Sequence, residues 1–257
     1  MRVRIRPQVP GLVSRTASFD RPAFYALRPG AWRDYLTLLH PPYTLWHLSY
    51  VVLGVALAPT PHYDRLGATL LAFFLAVGLS AHAFDEIAGR PLKTRIPSGI
   101  LYALASAGLA GAVTLGVVGA VLVSPWLIAF IIVGAFAVPT YSLEWFRGRF
   151  HSDVWFALAW GAFPFLTAYW VSAERFDLSA GFGTLAVVLL SLAQRSLSLR
   201  VRAVRRRARL IEGCVTYADG GREDIDSSWL VAADERALTF LSPMVAALSI
   251  AVLLARS

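Results

Sequence analysis

The sequence predicts an all-α fold: a polytopic membrane helical bundle with about seven transmembrane helices. Hydrophobic residues make up 57% of the 257-residue chain. Charged residues make up only 16%, against about 25% in an average soluble domain. Apolar runs of about 17 or more residues recur along the chain, which is the length that crosses a bilayer as a helix. Helices also satisfy their backbone groups internally, as hydrocarbon requires.

The N-terminal part of the chain contains no apolar run that is long enough to span. We expect residues 1–40 to form a flexible basic cytoplasmic arm, with an interfacial helix around Ala31–Leu39 lying on anionic lipid. Residues 41–257 form one transmembrane domain. The predicted spans are, in order, Tyr43–Leu57, Leu66–Phe84, Ser98–Val118, Ala120–Val138, Val154–Val171, Gly181–Leu197 and Leu238–Leu254.

The distribution of basic residues predicts the orientation. All lysines and arginines except Arg65, Arg175 and Arg256 fall in the arm or in the segments that follow the second, fourth and sixth spans. Basic residues concentrate in cytoplasmic loops. We therefore predict cytoplasmic loops at about 85–97, 141–153 and 198–237 in the cytoplasmic membrane, with the N-terminus inside and the C-terminus outside. The same bias explains the net charge of +8 without a nucleic-acid partner.

The segment between the last two spans carries turn and cysteine signals. Cys214 is the one cysteine, so an intramolecular disulfide is excluded. Asp219 and Gly220 predict a turn. Asp224 and Asp226 follow, and they either bind a metal ion or serve as solvated loop carboxylates or helix caps.

The charged stretch after the second span is the first candidate site. Asp85 and Glu86 stand where that span leaves hydrocarbon, where a carboxylate needs a partner. They are candidate catalytic residues and candidate ligands for Mg²⁺, which favours carboxylates together with substrate phosphates. Arg90 and Lys93 are candidate diphosphate ligands; the alternative is that they pair with the two carboxylates. His82 shares their helical face. It either binds a metal ion or the phosphate of the substrate, or it forms a hydrogen bond with a neighbouring helix.

Two further stretches carry polar or aromatic residues at the same predicted face. Tyr141 ends the fourth span and is a candidate diphosphate-binding residue. Trp160 in the fifth span either stabilises a carbocation by cation–π contact or packs between helices. Arg195, Arg202, Arg206 and Arg209 recur at helical spacing and share one face. That face contacts either anionic headgroups or a diphosphate held near Asp85.

These stretches together resemble the UbiA superfamily of intramembrane prenyltransferases. The family motif N-D-x-x-D-x-x-x-D followed by R-P corresponds here to A-H-A-F-D-E-I-A-G-R-P, from Ala81 to Pro91, in which Asp85 and the R-P pair match. Tyr141-Ser142 and Trp160-Gly161 resemble further landmarks of the family. The resemblance covers about Leu39 to Leu210. It implies a cytoplasmic active site built from the loops after the second and sixth spans, with Mg²⁺ bridging to a prenyl diphosphate.

The sequence also departs from the family pattern. Ala81, His82 and Gly89 stand where the motif has Asn, Asp and Asp, and the segment after the sixth span carries arginines instead of a second acidic motif. Two of the family's usual nine spans are also missing. Arg195, Arg200 and Arg202 are therefore candidates to neutralise a diphosphate in place of a second metal ion.

The resemblance leaves three functions open. The chain transfers a prenyl group from a prenyl diphosphate to a lipophilic acceptor, or it is a degenerate member that binds an isoprenoid lipid or assembles with a membrane partner subunit, or it is a membrane-embedded terpene cyclase. Membrane lipid and an isoprenoid diphosphate or isoprenoid lipid are the expected partners.

Overall fold

The computed structural model describes residues 21–256, and in that range the fold is predominantly helical. Most helices coincide with the apolar runs, because a run without Asp, Glu, Lys or Arg is stable in hydrocarbon only with its backbone paired internally. The elements are α1 (Ala31–Leu38), α2 (Pro41–Leu57), α3 (Tyr63–Gly89), α4 (Ser98–Leu122), α5 (Leu127–Ser142), α6 (Asp153–Ala173), α7 (Leu178–Arg207), β1 (Gly213–Thr216), β2 (Arg222–Ile225) and α8 (Ser227–Leu254).

Helix α2 lies at the centre of the bundle. It packs against α8 on one side and α6 on the other, and Trp46, Tyr50 and Val55 on it are almost completely buried. Gly54 permits this close approach, since a Cβ at that position would lie 2.4 Å from the carbonyl oxygen of Phe165. The outer helices, by contrast, present exposed apolar side chains such as Leu122, which suits a lipid environment.

Two helices contain π-helical segments. These are Phe74–Ala81 in α3 and Leu158–Ala162 in α6. A π segment adds a residue to the turn and is frequent at functional sites. In α6, Gly161 lies so close to α7 that a Cβ would meet the hydroxyl of Ser191 at 2.5 Å. Both segments therefore shape the inner wall where α3, α6 and α7 meet.

Within residues 21–256, five helices are long and apolar enough to cross a membrane, namely α3, α4, α6, α7 and α8. Each contains one of the predicted spans. The other two predicted spans correspond to α2, with 17 residues, and α5, with 16. The predicted start of the fourth span at Ala120 is wrong, because Ala120 belongs to α4 and α5 begins only at Leu127. The helical membrane bundle is thus confirmed, and a complete crossing by α2 and α5 stays a prediction.

Of the predicted flexible arm, the described segment before α1 packs against the rest of the protein. Residues 1–20 lie outside the described residues. In the rest, Ala23 and Ala26 are buried at 5% and 1% exposure, and Leu27 donates its backbone N–H to Thr37. Burial of these small side chains against the bundle fixes the segment. The surface helix near Ala31–Leu39 is present as α1.

The loops are shorter than predicted, because charged residues extend the helices. Helix α3 continues through Asp85 to Gly89, and α5 ends at Ser142. The segment predicted at 198–237 is reduced to 208–226, since Arg200 pairs with Asp234 at 3.3 Å and Arg205 pairs with Glu235 between α7 and α8. The remaining segment forms a β-hairpin that the all-α prediction lacked.

The turn predicted by Asp219 and Gly220 is confirmed at the tip of this hairpin, where Gly220 has φ +86°. Asp226 caps α8 by accepting the backbone N–H of Trp229 at 2.7 Å. Hydrogen bonds to that N–H and to the Ser228 hydroxyl hold the pKa of Asp226 below its usual range. Of the alternatives for Asp226, the structure supports the helix cap.

Candidate functional site

The helices enclose a cavity of about 670 Å³ near the C-terminal end of α3. Its walls come from the N-terminal segment, α2, α3, the connection between α5 and α6, α6 itself and α7. The inner end is apolar and aromatic, with Val77, Phe156 and Trp160. The outer end carries Asp85 and arginines of α7. The cavity therefore combines an apolar interior with a charged rim.

Helix α3 contributes one continuous stripe to this cavity. Ala81, His82, Asp85, Ala88 and Gly89 all line it, as expected for residues three, four and seven positions apart on a helix. Asp85 is partly exposed, whereas His82 is 7% exposed. The predicted site residues Asp85 and His82 thus lie in one cavity.

Arg195 is the most firmly held arginine of the cavity. It is 5% exposed. Its Nε donates to Asp153 at 2.9 Å and its Nη1 donates to the hydroxyl of Tyr141, also at 2.9 Å. The guanidinium lies 4.8 Å from the ring centroid of Phe156. A planar guanidinium held from three sides in this way is pre-organised to bind an oxyanion.

Arg202 and Arg206 follow on the same face of α7 and also line the cavity. The Nε of Arg202 donates to the carbonyl of Ser198 at 3.3 Å, and that of Arg206 to the carbonyl of Pro22 at 3.3 Å. Each contact uses only Nε, so the terminal nitrogens keep their donors. The predicted shared face is therefore present for Arg195, Arg202 and Arg206, and it meets the stripe containing Asp85. Arg209 does not belong to it, because α7 ends at Arg207.

Glu86 was predicted in the site together with Asp85, but its side chain does not line the cavity. Its side chain is completely buried outside the cavity lining. One carboxylate oxygen accepts the backbone N–H of Leu92 at 3.0 Å, and the other accepts the N–H and hydroxyl of Thr94, both at 2.8 Å. The carboxylate thus holds the segment after α3, and we no longer assign it to catalysis or metal binding.

Three further predicted ligands lie away from the cavity. Arg90 donates to the carbonyls of Thr94 and Ile96 at 3.1 and 2.6 Å, so it also braces the segment after α3. Lys93 is exposed on that segment. Arg200 points toward α8, where its side chain is 62% exposed and pairs with Asp234. None of the three is among the residues that line the cavity.

Sequence reasoning missed His47 in α2 and His40, which directly precedes that helix. His47 lines the cavity at 5% exposure, and the ring of His40 stacks on His82 at 4.0 Å with an interplanar angle of 10°. Tyr25 bonds to His40 Nδ1 at 2.8 Å. Burial, and then the neighbouring His82, lower the pKa of His40 well below its usual value. An ionisable residue inside an apolar run, as His47 is, is the signal that marks such positions.

The lining residues suit an anion better than a metal ion. They include four arginines (Arg195, Arg202, Arg206 and Arg207) and two carboxylates, Asp85 and Glu144. Within residues 21–256 no cluster of three or more His, Cys, Asp or Glu side chains is arranged to hold a metal ion. Mg²⁺ prefers several oxygen ligands, and beside these arginines a divalent cation meets repulsion. The residues present therefore do not fit the predicted Mg²⁺, and we derive no step through it.

Comparisons with protein-family models, with curated proteins and with solved structures find no match to this chain.

Proposed function

We propose that this integral membrane protein binds an isoprenoid diphosphate, with its head on the arginines of α7 and its chain in the aromatic interior of the cavity. The observation that carries the proposal is the convergence of Arg195, Arg202 and Asp85 on one cavity with an apolar inner end. We further propose that this end of the bundle faces the cytoplasm and that α2 and α5 also cross, which gives the UbiA-like arrangement suggested by the sequence.

Charge and geometry support the anionic head. Arginine forms charge-assisted, often bidentate hydrogen bonds with phosphate oxygens. Arg195 is oriented by Asp153 and Tyr141 before any ligand arrives, so little side-chain entropy is lost on binding. Arg202 and Arg206 offer terminal nitrogens on the same face. Asp153 already pairs with Arg195, so it is the charges of Arg202 and Arg206 that a neutral headgroup leaves uncompensated in a partly buried site, which favours the diphosphate over its alcohol.

The aromatic end supports the isoprenoid chain. Tyr141 and Trp160 pack edge to face with ring centroids 5.4 Å apart, and Phe156 lies beside them. Burial of an apolar chain is worth about 25 cal/mol per Å² of surface removed from water. Aromatic faces also attract a cation, so the same wall stabilises positive charge developing on an allylic carbon.

Prenyl transfer is the second candidate function, and Asp85 is the observation that favours it. In such a step the allylic C–O bond breaks, the electron pair leaves with the diphosphate, and the acceptor forms the new bond while losing a proton. Asp85 is a partly exposed carboxylate on the cavity wall, beside the hydroxyl of Ser142. The arginines stabilise the leaving group in place of metal ions. A binding or assembly protein retains the same cavity but releases no diphosphate, and a cyclase releases it without an acceptor.

The test measures binding of radiolabelled geranylgeranyl diphosphate and of geranylgeraniol to the purified protein in nanodiscs containing EDTA. We expect the diphosphate to bind at least about tenfold more tightly, and Arg202→Gln to remove about tenfold of that affinity, because one charge-assisted hydrogen bond is worth about 1.5–3 kcal/mol. Arg200→Gln, on the other face of α7, is the control and leaves binding unchanged.

Equal binding of the alcohol and the diphosphate contradicts the proposal, as does an equal loss in the control variant. For transfer, release of diphosphate is followed with and without a panel of lipophilic acceptors. Asp85→Asn should slow acceptor-dependent release while leaving diphosphate binding intact. Wild-type protein that binds but never releases diphosphate supports the binding function instead, and release without an acceptor supports cyclisation.

A further inference from the structure

The cavity gathers most of the histidines in the chain. Four of the five, at positions 40, 47, 82 and 151, line it, and only His62 lies elsewhere. Ionisable side chains inside a membrane bundle are costly and usually functional. Imidazole rings add a chemistry that the arginines do not have, since a guanidinium has no acceptor atom.

The hydrogen bond at His47 fixes which ring nitrogen carries the proton. Its Nδ1 lies 2.7 Å from the carbonyl oxygen of Trp160. A carbonyl oxygen only accepts, so Nδ1 donates, and the neutral ring then presents Nε2 as an acceptor. No described residue donates to this Nε2. His151 shows the same pattern, with Nδ1 at 3.2 Å from the carbonyl oxygen of Tyr141.

Phe156 connects this acceptor to the proposed diphosphate site. The guanidinium of Arg195 lies 4.8 Å from the centroid of Phe156. The ring of His47 lies 6.0 Å from the same centroid. Arg195 and His47 therefore share Phe156 as a neighbour, and groups bound by the two side chains lie in the same part of the cavity. Phosphate oxygens suit the first position, whereas a hydroxyl group, which donates a hydrogen bond, suits the second.

We infer that His47 Nε2 forms a subsite for the hydroxyl group of a second ligand, bound beside the diphosphate. Its role as an acceptor subsite rests on the proposed function. When the prenyl group is transferred to this hydroxyl, the O–H proton passes to Nε2 and the oxygen bonds to the allylic carbon. The carbon–oxygen bond to the diphosphate breaks, and its electron pair leaves with the diphosphate.

The test compares two probes, of which one carries a hydrogen-bond donor and the other does not. 1-Naphthol carries an O–H group, and 1-methoxynaphthalene carries a methyl cap in its place. Calorimetry in nanodiscs measures both, together with inorganic pyrophosphate. His47→Asn is the informative variant, because its amide N–H₂ reproduces the Nδ1 bond to Trp160 but has no atom at the position of Nε2. His62→Asn is the matched control at the opposite end of α3.

We expect the wild-type protein and His62→Asn to bind 1-naphthol about tenfold more tightly than the ether. The O–H group of 1-naphthol satisfies the Nε2 acceptor of His47, whereas the ether leaves that acceptor without a donor. His47→Asn should lose this preference and keep its pyrophosphate affinity. His47→Gln, whose amide reaches the position of Nε2, should recover part of it. A wild-type protein without the preference overturns the inference, and so does a His47→Asn protein that retains it.

The outcomes separate the inference from the proposed function. If pyrophosphate and geranylgeranyl diphosphate fail to bind while the 1-naphthol preference holds and depends on His47, the proposed function fails and the hydroxyl subsite stands. If the diphosphate binds and the preference is absent, the proposed function stands and the subsite does not exist. The preference of the wild-type protein also tests the inference if the variants do not fold.

Discussion

Replacing Glu86 by Gln tests whether the Glu86 carboxylate stabilises the fold or takes part in catalysis. The wild-type carboxylate accepts three hydrogen bonds from the backbone of Leu92 and from the backbone and hydroxyl of Thr94. A glutamine keeps one oxygen for Thr94 but turns an N–H₂ group toward the N–H of Leu92. One bond is lost, one donor is left unsatisfied and the other bonds lose their charge assistance. We expect a destabilisation of about 2–4 kcal/mol.

The assay compares thermal unfolding midpoints in one detergent and the rate of tryptic cleavage after Lys93, which is exposed on the segment that Glu86 holds. Glu86→Gln should lower the midpoint and speed this cleavage, because the segment is released. Glu212→Gln makes the same chemical change at an exposed position and should do neither. Thr94→Val removes one partner, so its effect should not add to that of Glu86→Gln.

Binding of geranylgeranyl diphosphate tests the alternative, in which Glu86 is a metal ligand. The structural role predicts that folded Glu86→Gln protein binds the diphosphate as the wild type does, with or without Mg²⁺. A variant with unchanged midpoint and cleavage but with lost Mg²⁺-dependent binding refutes this reasoning and restores Glu86 as a metal ligand.

Two other predictions concern pH and orientation. The pKa of His40 is lowered in the fold, so protonation favours the unfolded chain: the contribution of His40 to stability is complete above about pH 6.5 and is lost as pH falls below it. Unfolding midpoints between pH 7.5 and 5.5 should therefore decline less in His40→Asn than in the wild type, and parallel curves contradict this. Cys214 is exposed on the hairpin, so a membrane-impermeant maleimide should label inside-out but not right-side-out vesicles; the reverse pattern inverts the proposed orientation.

The positions of the helices follow from composition, whereas their ends do not. An apolar run such as Ser98–Val118 has no alternative to a helix in hydrocarbon. At the ends, polar residues are stable in either conformation, and tertiary partners decide. Arg205 lies in a helix rather than a loop because it meets Glu235 on α8, a contact between residues 30 positions apart in the sequence. No local pattern contains that information.

The candidate site was predictable to a similar extent. Asp85, His82, Arg195 and Arg202 come together as the helical spacing and the loop pattern predicted. Glu86, adjacent to Asp85, does not join them, because successive residues on a helix point about 100° apart. Which of two neighbouring carboxylates faces a cavity depends on how the whole helix is rotated in the bundle, and packing against α2 and α4 sets that rotation.

Arginines and metal-bound carboxylates are alternative ways to place positive charge against a diphosphate. In a metal-dependent site the protein supplies negative side chains, and the ions invert the local charge. In this cavity Arg195 and Arg202 already supply the positive charge, and Asp85 contributes a single carboxylate at the rim. A divalent ion placed there gains one ligand and is repelled by two cations. A diphosphate-binding function of this cavity therefore requires that binding persist in EDTA, and arginine substitution should weaken it where chelation does not.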